Sequence, residues 1–230
     1  MTSEKKYSVI IVAGGRGYRV GGETPKQFIV IAGKPMLMHT IEAFYAYDSR
    51  VRIVVVLPEG YSEIWKQLCN DYHFAIPHQL TVGGETRFHS VRNGLIEISN
   101  EEIVGIHDAA RPFVSPQLIG RCFDESFQNQ CGIIPVVDEV NSVRQITESG
   151  SRMLDRELLK IVQTPQVFPA SLLKEAYRTD YNSLFTDDAS VAEKHGIKIQ
   201  LVNGDNINIK ITTLFDVKLA EYYFRMIAKR

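Results

Sequence analysis

The chain reads as an α/β protein organised around a mostly parallel sheet, and two patterns predict it. Short apolar runs rich in valine and isoleucine alternate with amphipathic stretches of helical spacing, the sequence form of repeated strand–helix crossovers. Glycine pairs follow two of the runs directly, Gly14-Gly15 after the first and Gly83-Gly84 after the third. In sheets of this kind ligands bind beyond the C-terminal ends of the strands.

The first run, residues 7–13, is apolar apart from Ser8 and predicts a buried strand. A helix is predicted over 35–47, where Leu37, Thr40, Ile41 and Phe44 mark one face. Strands over 52–57 and 79–82 bracket a helix over 61–72, and a helix over 86–98 follows, with Thr86 as its N-cap. The pattern then gives a strand over 103–107, a helix over 116–128 and a strand over 132–137. Helices over 171–179 and 187–195, strands over 198–202 and 206–211, and a helix over 214–228 complete it. Phe215, Leu219, Tyr222 and Tyr223 form the apolar face of the last helix. One segment breaks the alternation. Residues 138–158 carry Val140, Val143 and Ile146, then the turn residues 148–151, then a second extended run near Met153, which predicts a β-hairpin arm off the main sheet. An isolated two-stranded arm is marginal in water. Such an arm packs either on a second subunit, giving a homodimer, or on its own domain.

A chain of 230 residues with 44% hydrophobic and 23% charged residues fits a single globular domain spanning 1–230. The formal net charge of −1 removes any global electrostatic case for nucleic acid or an anionic membrane. Cys69, Cys122 and Cys131 are scattered, odd in number and without metal spacing, so they read as reduced core thiols. No apolar stretch reaches membrane-spanning length, and the first residues carry no signal-peptide apolar region. A cytoplasmic setting is expected.

The chemistry concentrates in a few clusters. Ala13-Gly14-Gly15-Arg16-Gly17 ends the first strand, with Arg19 and Lys26 close behind. Consecutive N–H groups in a glycine turn form an anion-binding concavity, and two cations beside it suit a polyphosphate. The string Gly-x-x-x-x-Gly-Lys-[Ser/Thr] of a P-loop is absent, and Val20 stands where a dinucleotide fingerprint needs its third glycine. The simpler alternative is a ligand-free turn after a buried strand. Gly83-Gly84 lead into a helix carrying Ser90 on its first turns, a place for reading a base edge or an ordinary strand-to-helix turn. Asp108 follows another predicted strand, three residues before Arg111, and is placed either for a divalent ion or for a structural ion pair. Arg156 lies near the tip region of the arm and Thr164 on the return from it, while Thr186 is read as a helix cap and Lys210 interrupts an alternating strand. Surface charge is the simpler reading of Arg156, and harmless snorkelling that of Lys210.

Taken in order, Ala13–Arg19, Pro25-Lys26-Gln27, Gly83-Gly84-Glu85-Thr86-Arg87, His107-Asp108-Ala109-Ala110-Arg111-Pro112, Asp155-Arg156, Thr164-Pro165-Gln166, Thr186-Asp187 and Asn208–Thr212 resemble the 2-C-methyl-D-erythritol 4-phosphate cytidylyltransferase family over nearly the whole chain. The resemblance implies a Rossmann-like nucleotidyltransferase fold with an arm that builds a homodimer. It implies CTP and 2-C-methyl-D-erythritol 4-phosphate as substrates, Mg²⁺ as cofactor, and a place in non-mevalonate isoprenoid biosynthesis. Ala13, Gly14, Gly15, Gly83, Gly84, Arg87, Ser90 and Ala109 would bind the nucleotide, and Arg19, Lys26 and Lys210 would be catalytic. Asp108, Arg111, Thr186 and Lys210 would meet the second substrate, with Asp108 a metal ligand besides. Arg156 and Thr164 would reach that site from the partner subunit. The chain departs from the family pattern at Val12 (usually proline), Gly14 (usually alanine) and Tyr18 (often arginine), and residues 139–142 hold no clear counterpart of a threonine expected to grip substrate phosphate. A ribitol-5-phosphate cytidylyltransferase, a sugar-1-phosphate transferase using another nucleotide and a non-catalytic nucleotide-binding regulator on the same fold are the alternatives.

Overall fold

The computed structural model describes residues 6–14 and 25–227. In chain order the elements are β1 (Tyr7–Val12), β2 (Val30–Ile31), β3 (Lys34–Pro35), α1 (Met36–Tyr47), β4 (Arg52–Leu57), α2 (Ser62–Asp71), β5 (Gln79–Val82), α3 (Arg87–Ile96), β6 (Ile103–Asp108) and α4 (Pro116–Asn129). They continue with β7 (Gly132–Asp138), β8 (Val143–Thr147), β9 (Gly150–Leu154), β10 (Lys160–Val162), β11 (Gln166–Pro169), α5 (Ala170–Ala176), α6 (Asp188–Lys194), β12 (Ile199–Asn203) and α7 (Leu214–Ile227).

β1 lies in the middle of the main sheet because nearly every residue in it is apolar and both its faces are covered. It pairs in parallel with β4 on one side and β6 on the other, and β4 pairs in parallel with β5. Alternate residues feed opposite layers, as the period of two requires. Val9 and Ile11 pack with Leu37 and Phe44 of α1, Trp65 of α2 and Ile119 and Phe123 of α4. Ile10 packs with Phe88 and Val91 of α3 and Leu173 of α5. Helices therefore cover both faces, the doubly wound arrangement that the alternating pattern predicts. Helix starts follow from local hydrogen bonding: Ser115 caps α4 ahead of Pro116, and Asp187 and Ser190 form a capping box on α6.

The far side of the sheet departs from the expected order. β11 runs antiparallel between β6 and β7, β10 continues along the same edge of β7, and β12 pairs with the other edge. Neither β10 nor β11 is predicted, because Gln163-Thr164-Pro165-Gln166 punctuates them and their apolar runs are too short to show a period. The strand expected over 206–211 is absent. Asp205 accepts the Ile207 N–H on its side chain at 2.9 Å, and its carbonyl accepts the Asn208 N–H at 2.9 Å, so a local turn takes the backbone groups that a ladder would use. β8 and β9 form a two-stranded hairpin that shares no pairing with the main sheet.

The loops that leave β1, β5 and β6 part from the sheet at one edge. The Ala13 N–H donates to Val56 O at 2.9 Å, Ala109 N–H to Val12 O at 3.1 Å and Gly83 N–H to Leu57 O at 2.7 Å. Each extends the ladder one residue beyond its strand, so the three turns are held side by side.

Behind this edge α3 approaches the sheet closely at Gly94, where a Cβ would sit 2.7 Å from Ile10 Cγ2 and 3.2 Å from Val56 Cγ2. Alanine gains about 1 kcal/mol over glycine in an unconstrained helix, but overpacking costs about 1–3 kcal/mol. Gly94→Ala is therefore expected to be destabilising, read as a lower urea midpoint at unchanged slope.

Candidate active site

A cavity of about 830 Å³ opens at this edge of the sheet, lined by the turns after β1, β5 and β6. Its wall also includes Lys26 and Gln27, from a single 3₁₀ turn over Lys26–Phe28, and Lys210. That turn is anchored from behind: Phe28 is buried and stacks on Trp65 of α2, ring centroids 5.9 Å apart. The apolar third residue thus fixes where the first, Lys26, stands.

Gly14 and Gly83 meet across the cavity floor with the Ser90 hydroxyl against both. A Cβ on Gly14 would lie 2.8 Å from Ser90 Oγ, and one on Gly83 would lie 3.0 Å from it. Ser90 is buried; its hydroxyl donates to Thr86 O at 3.0 Å and accepts the Gly84 N–H at 3.1 Å. The glycines are needed here for close approach. The serine locks the Gly83-Gly84 turn onto α3, whose N-cap is Thr86 as expected.

Charge in the cavity converges on Asp108. Lys210 Nζ lies 2.7 Å from Asp108 Oδ2, Arg87 Nε 3.5 Å from Oδ1 and Arg111 Nε 3.7 Å from Oδ2. Burial alone would raise the pKa of this carboxyl, but Arg87, then Lys210 and Arg111, outweigh burial and hold it well below the usual carboxylate range. Arg87 and Arg111 are tied elsewhere as well. Arg87 makes a bidentate pair with the fully buried Asp188, and Arg111 donates to Asn208 O at 2.7 Å and Val162 O at 3.3 Å. Lys210, 40% exposed, faces the cavity more openly.

Beneath Asp108 the hydrogen-bond directions are fixed one by one. His107 Nε2 lies 3.0 Å from Arg111 O, a carbonyl that only accepts, so Nε2 carries the proton. Nδ1 then accepts from the Thr164 hydroxyl at 3.0 Å. The same oxygen accepts the Asp108 N–H at 3.1 Å. A neutral, fully buried imidazole thereby holds the turn that presents Asp108.

A family model described as 2-C-methyl-D-erythritol 4-phosphate cytidylyltransferase, IspD, matches residues 7–226. The chain belongs to the IspD family. Proteins of that name from Phocaeicola vulgatus and Bacteroides fragilis are 54% and 52% identical over 213 residues, each match covering 93% of this chain and 97% of the relative. The crystal structure of the cytidylyltransferase of that name from Thermus thermophilus has a TM-score of 0.78 at 30% identity, over 96% of this chain and 99% of that one. The structure of 4-diphosphocytidyl-2C-methyl-D-erythritol synthase from Anaerococcus prevotii has a TM-score of 0.81 at 25% identity, over 96% of both chains.

Of the residues that the IspD resemblance assigns, Ala13, Gly14, Lys26, Gly83, Gly84, Arg87, Ser90, Asp108, Ala109 and Lys210 line the cavity. Gly15 and Arg19 lie outside the described residues. Arg111 is buried behind Asp108, and the ion pair offered as its simpler reading is present at 3.7 Å. Thr164 corrects an expectation: it is buried in this chain's own core against Asp108 and His107, so it does not reach out to a partner subunit. Thr186 is exposed and does not line the cavity, and Asp187, rather than Thr186, caps α6. Arg156 lies in a separate hollow with Asp138 and Lys160 and donates to Val140 O at 2.8 Å. Cations approach both oxygens of Asp108, so a Mg²⁺ held there would have to displace one of them. Sequence reasoning missed Asp188. The signal was Asp187-Asp188 opening a helix: one acid serves as the cap, and a second, buried, needs a cation.

Burial pushes the His107 imidazole down to about 4 from an ordinary 6.5. Between those values the unfolded chain binds a proton that the folded ring refuses, so stability is full above pH 6.5 and falls as pH is lowered through the window. His39 and His78, also depressed by burial, act in the same direction. The His107 share approaches about 3 kcal/mol at the acid end. Melting temperatures measured from pH 7 to pH 4.5 are expected to fall more steeply for the native protein than for His107→Gln.

Proposed function

We infer that this chain transfers CMP from CTP to 2-C-methyl-D-erythritol 4-phosphate, giving 4-diphosphocytidyl-2-C-methyl-D-erythritol and pyrophosphate, as its IspD relatives are named for doing. The observation carrying the reading is that Lys26 and Lys210 line one cavity with the glycine turns after β1 and β5. A phosphate oxygen of the acceptor attacks the α-phosphorus of CTP in line. The new P–O bond forms as the bond to the bridging oxygen breaks, and pyrophosphate leaves with that electron pair. The nucleophile is already an anion, so positioning and charge stabilisation supply most of the catalysis and no strong general base is needed. Lys26 and Arg19 offset charge on the triphosphate. Lys210, paired with Asp108 in the free protein, swings its side chain so that the ammonium pairs with the reacting phosphate.

Mg²⁺ is proposed to arrive on the phosphates of CTP, since Asp108 is already taken by cations. A cytoplasmic setting fits a chain whose described helices include none long and apolar enough to cross a membrane. A homodimer through 138–158 is supported by Val140, Ile146, Met153 and Leu158, which are 74%, 80%, 74% and 81% exposed. Ile146→Asp combined with Met153→Asp is expected to shift the mass at sedimentation equilibrium from dimer to monomer.

Pyrophosphate release is the test of the reaction, run with CTP, UTP and ATP against methylerythritol phosphate and ribitol phosphate. Turnover with CTP and methylerythritol phosphate is expected to exceed every other pair. Lys26→Ala and Lys210→Ala are each expected to fold normally and lose about 100-fold or more in turnover, the scale of losing one preorganised donor to a developing charge.

A further inference from the structure

Asp188 is a fully buried carboxylate outside the cavity, and among the described residues its side chain bonds to Arg87 and Tyr177. Arg87 Nη1 donates to Oδ1 at 3.0 Å and Nη2 to Oδ2 at 2.6 Å, while the Tyr177 hydroxyl donates to Oδ1 at 2.6 Å. The far end of the guanidinium is thus committed to Asp188, and the near edge, Nε, is left facing Asp108 at 3.5 Å. A planar fork gripped at both terminal nitrogens has one orientation, which a single contact would not impose.

The mounting of Asp188 is rigid in its turn. β11 places Gln166 opposite Ile106 of β6, and the Gln166 side chain donates to Asp187 Oδ2 at 2.8 Å and accepts the Ala189 N–H at 2.8 Å. The first turn of α6 is therefore fixed to the strand next to the one that carries Asp108. Tyr177 is buried and stacks on Phe88, the residue after Arg87, ring centroids 4.7 Å apart. Anchor and strut share one packed unit.

We propose that Asp188 is a positioning residue for the acceptor half of the site: by gripping Arg87 it directs the guanidinium at Asp108 and fixes the direction in which Asp108 meets the polyol phosphate. This rests on the reading that Asp108 meets the acceptor substrate. In consequence Arg87, which the IspD resemblance places on the nucleotide, acts as a strut between two carboxylates instead.

Steady-state kinetics of Asp188→Asn, with each substrate varied in turn, test the proposal. The amide keeps the shape and loses the charge and one acceptor. The KM for methylerythritol phosphate is expected to rise about tenfold or more, the scale of one charge-assisted hydrogen bond, with the KM for CTP changed less than about twofold. Tyr177→Phe removes one bond and no charge, and is expected to raise the acceptor KM in the same direction by less. A purely structural role would instead lower the melting temperature and the active fraction, leaving both KM values as in the native protein, and that result overturns the proposal. An equal rise in both KM values overturns it too. Should Asp188→Asn fail to fold, Tyr177→Phe decides on the same criteria. Failure of the native protein to release pyrophosphate from these substrates would defeat the functional reading itself, a result visible before any variant is compared.

Discussion

One buried-edge carboxylate, Asp108, orders the charge in this site. Three cations approach it from three parts of the chain: Arg87 from α3, Arg111 from the turn after β6 and Lys210 from the segment after β12. Remove the carboxylate and three positive groups face one another in a partly dry cleft, where like charges repel more strongly than in water. Asp108 neutralises part of that repulsion where the segments that carry them converge. The rest of the machinery follows from presenting this group correctly. β6 must end beside β1, the Thr164 hydroxyl must take the Asp108 N–H, and His107 must stay neutral to accept from that hydroxyl. A protonated imidazole would turn an N–H toward Thr164 and end the hydroxyl's donation to Nδ1, leaving that O–H without its acceptor.

How legible this was depends on the range of the interaction. Residues 7–13 and 52–57 are strongly apolar and bounded, and both strands appear where the sequence puts them. The glycine turns that follow are local features, and they meet because parallel strands deliver their C-terminal ends to one edge. Residues 206–211 failed for a local reason that periodicity ignores. The alternation of Ile207, Ile209 and Ile211 imitates a strand, yet Asp205 accepts the Ile207 N–H on its side chain and the Asn208 N–H on its carbonyl, which closes a turn. β11 failed for the opposite reason. Gln166 is fully buried in it, and a buried amide is intelligible only once Asp187 and the Ala189 N–H are known to receive it.

The site residues divide along the same line. Lys26 and Asp108 stood out because charge near a glycine turn or at a strand end is visible in the chain itself, whereas Lys210 stood out as a charge interrupting an alternation that forms no strand; all three line the cavity. Thr164 was assigned to the wrong subunit because its partners, Asp108 and His107, are more than fifty positions earlier, and only the antiparallel placement of β11 brings them together. Asp188 was passed over because its partner Arg87 lies 101 positions away. Short-range signals thus name the groups that can act, and long-range packing decides which of them act directly and which hold others in place.

The balance of charge in the cavity bears on how it tolerates being empty. Among its described lining residues, Lys26, Arg87 and Lys210 stand against Glu59, Glu85 and Asp108. Such a balance has a physical advantage. Cations left without counter-charges would repel one another and weaken the fold that holds them. Paired cations avoid this, but they bind a phosphate only by exchanging partners. The exchange costs least where the pair is still wet, because water has already screened the attraction that must be given up. Lys210 is 40% exposed and meets Asp108 by one contact, whereas Arg87 is held by two bonds to the buried Asp188. The two cations are therefore held differently: the ammonium by one half-exposed contact, and the guanidinium by a fork on the buried Asp188.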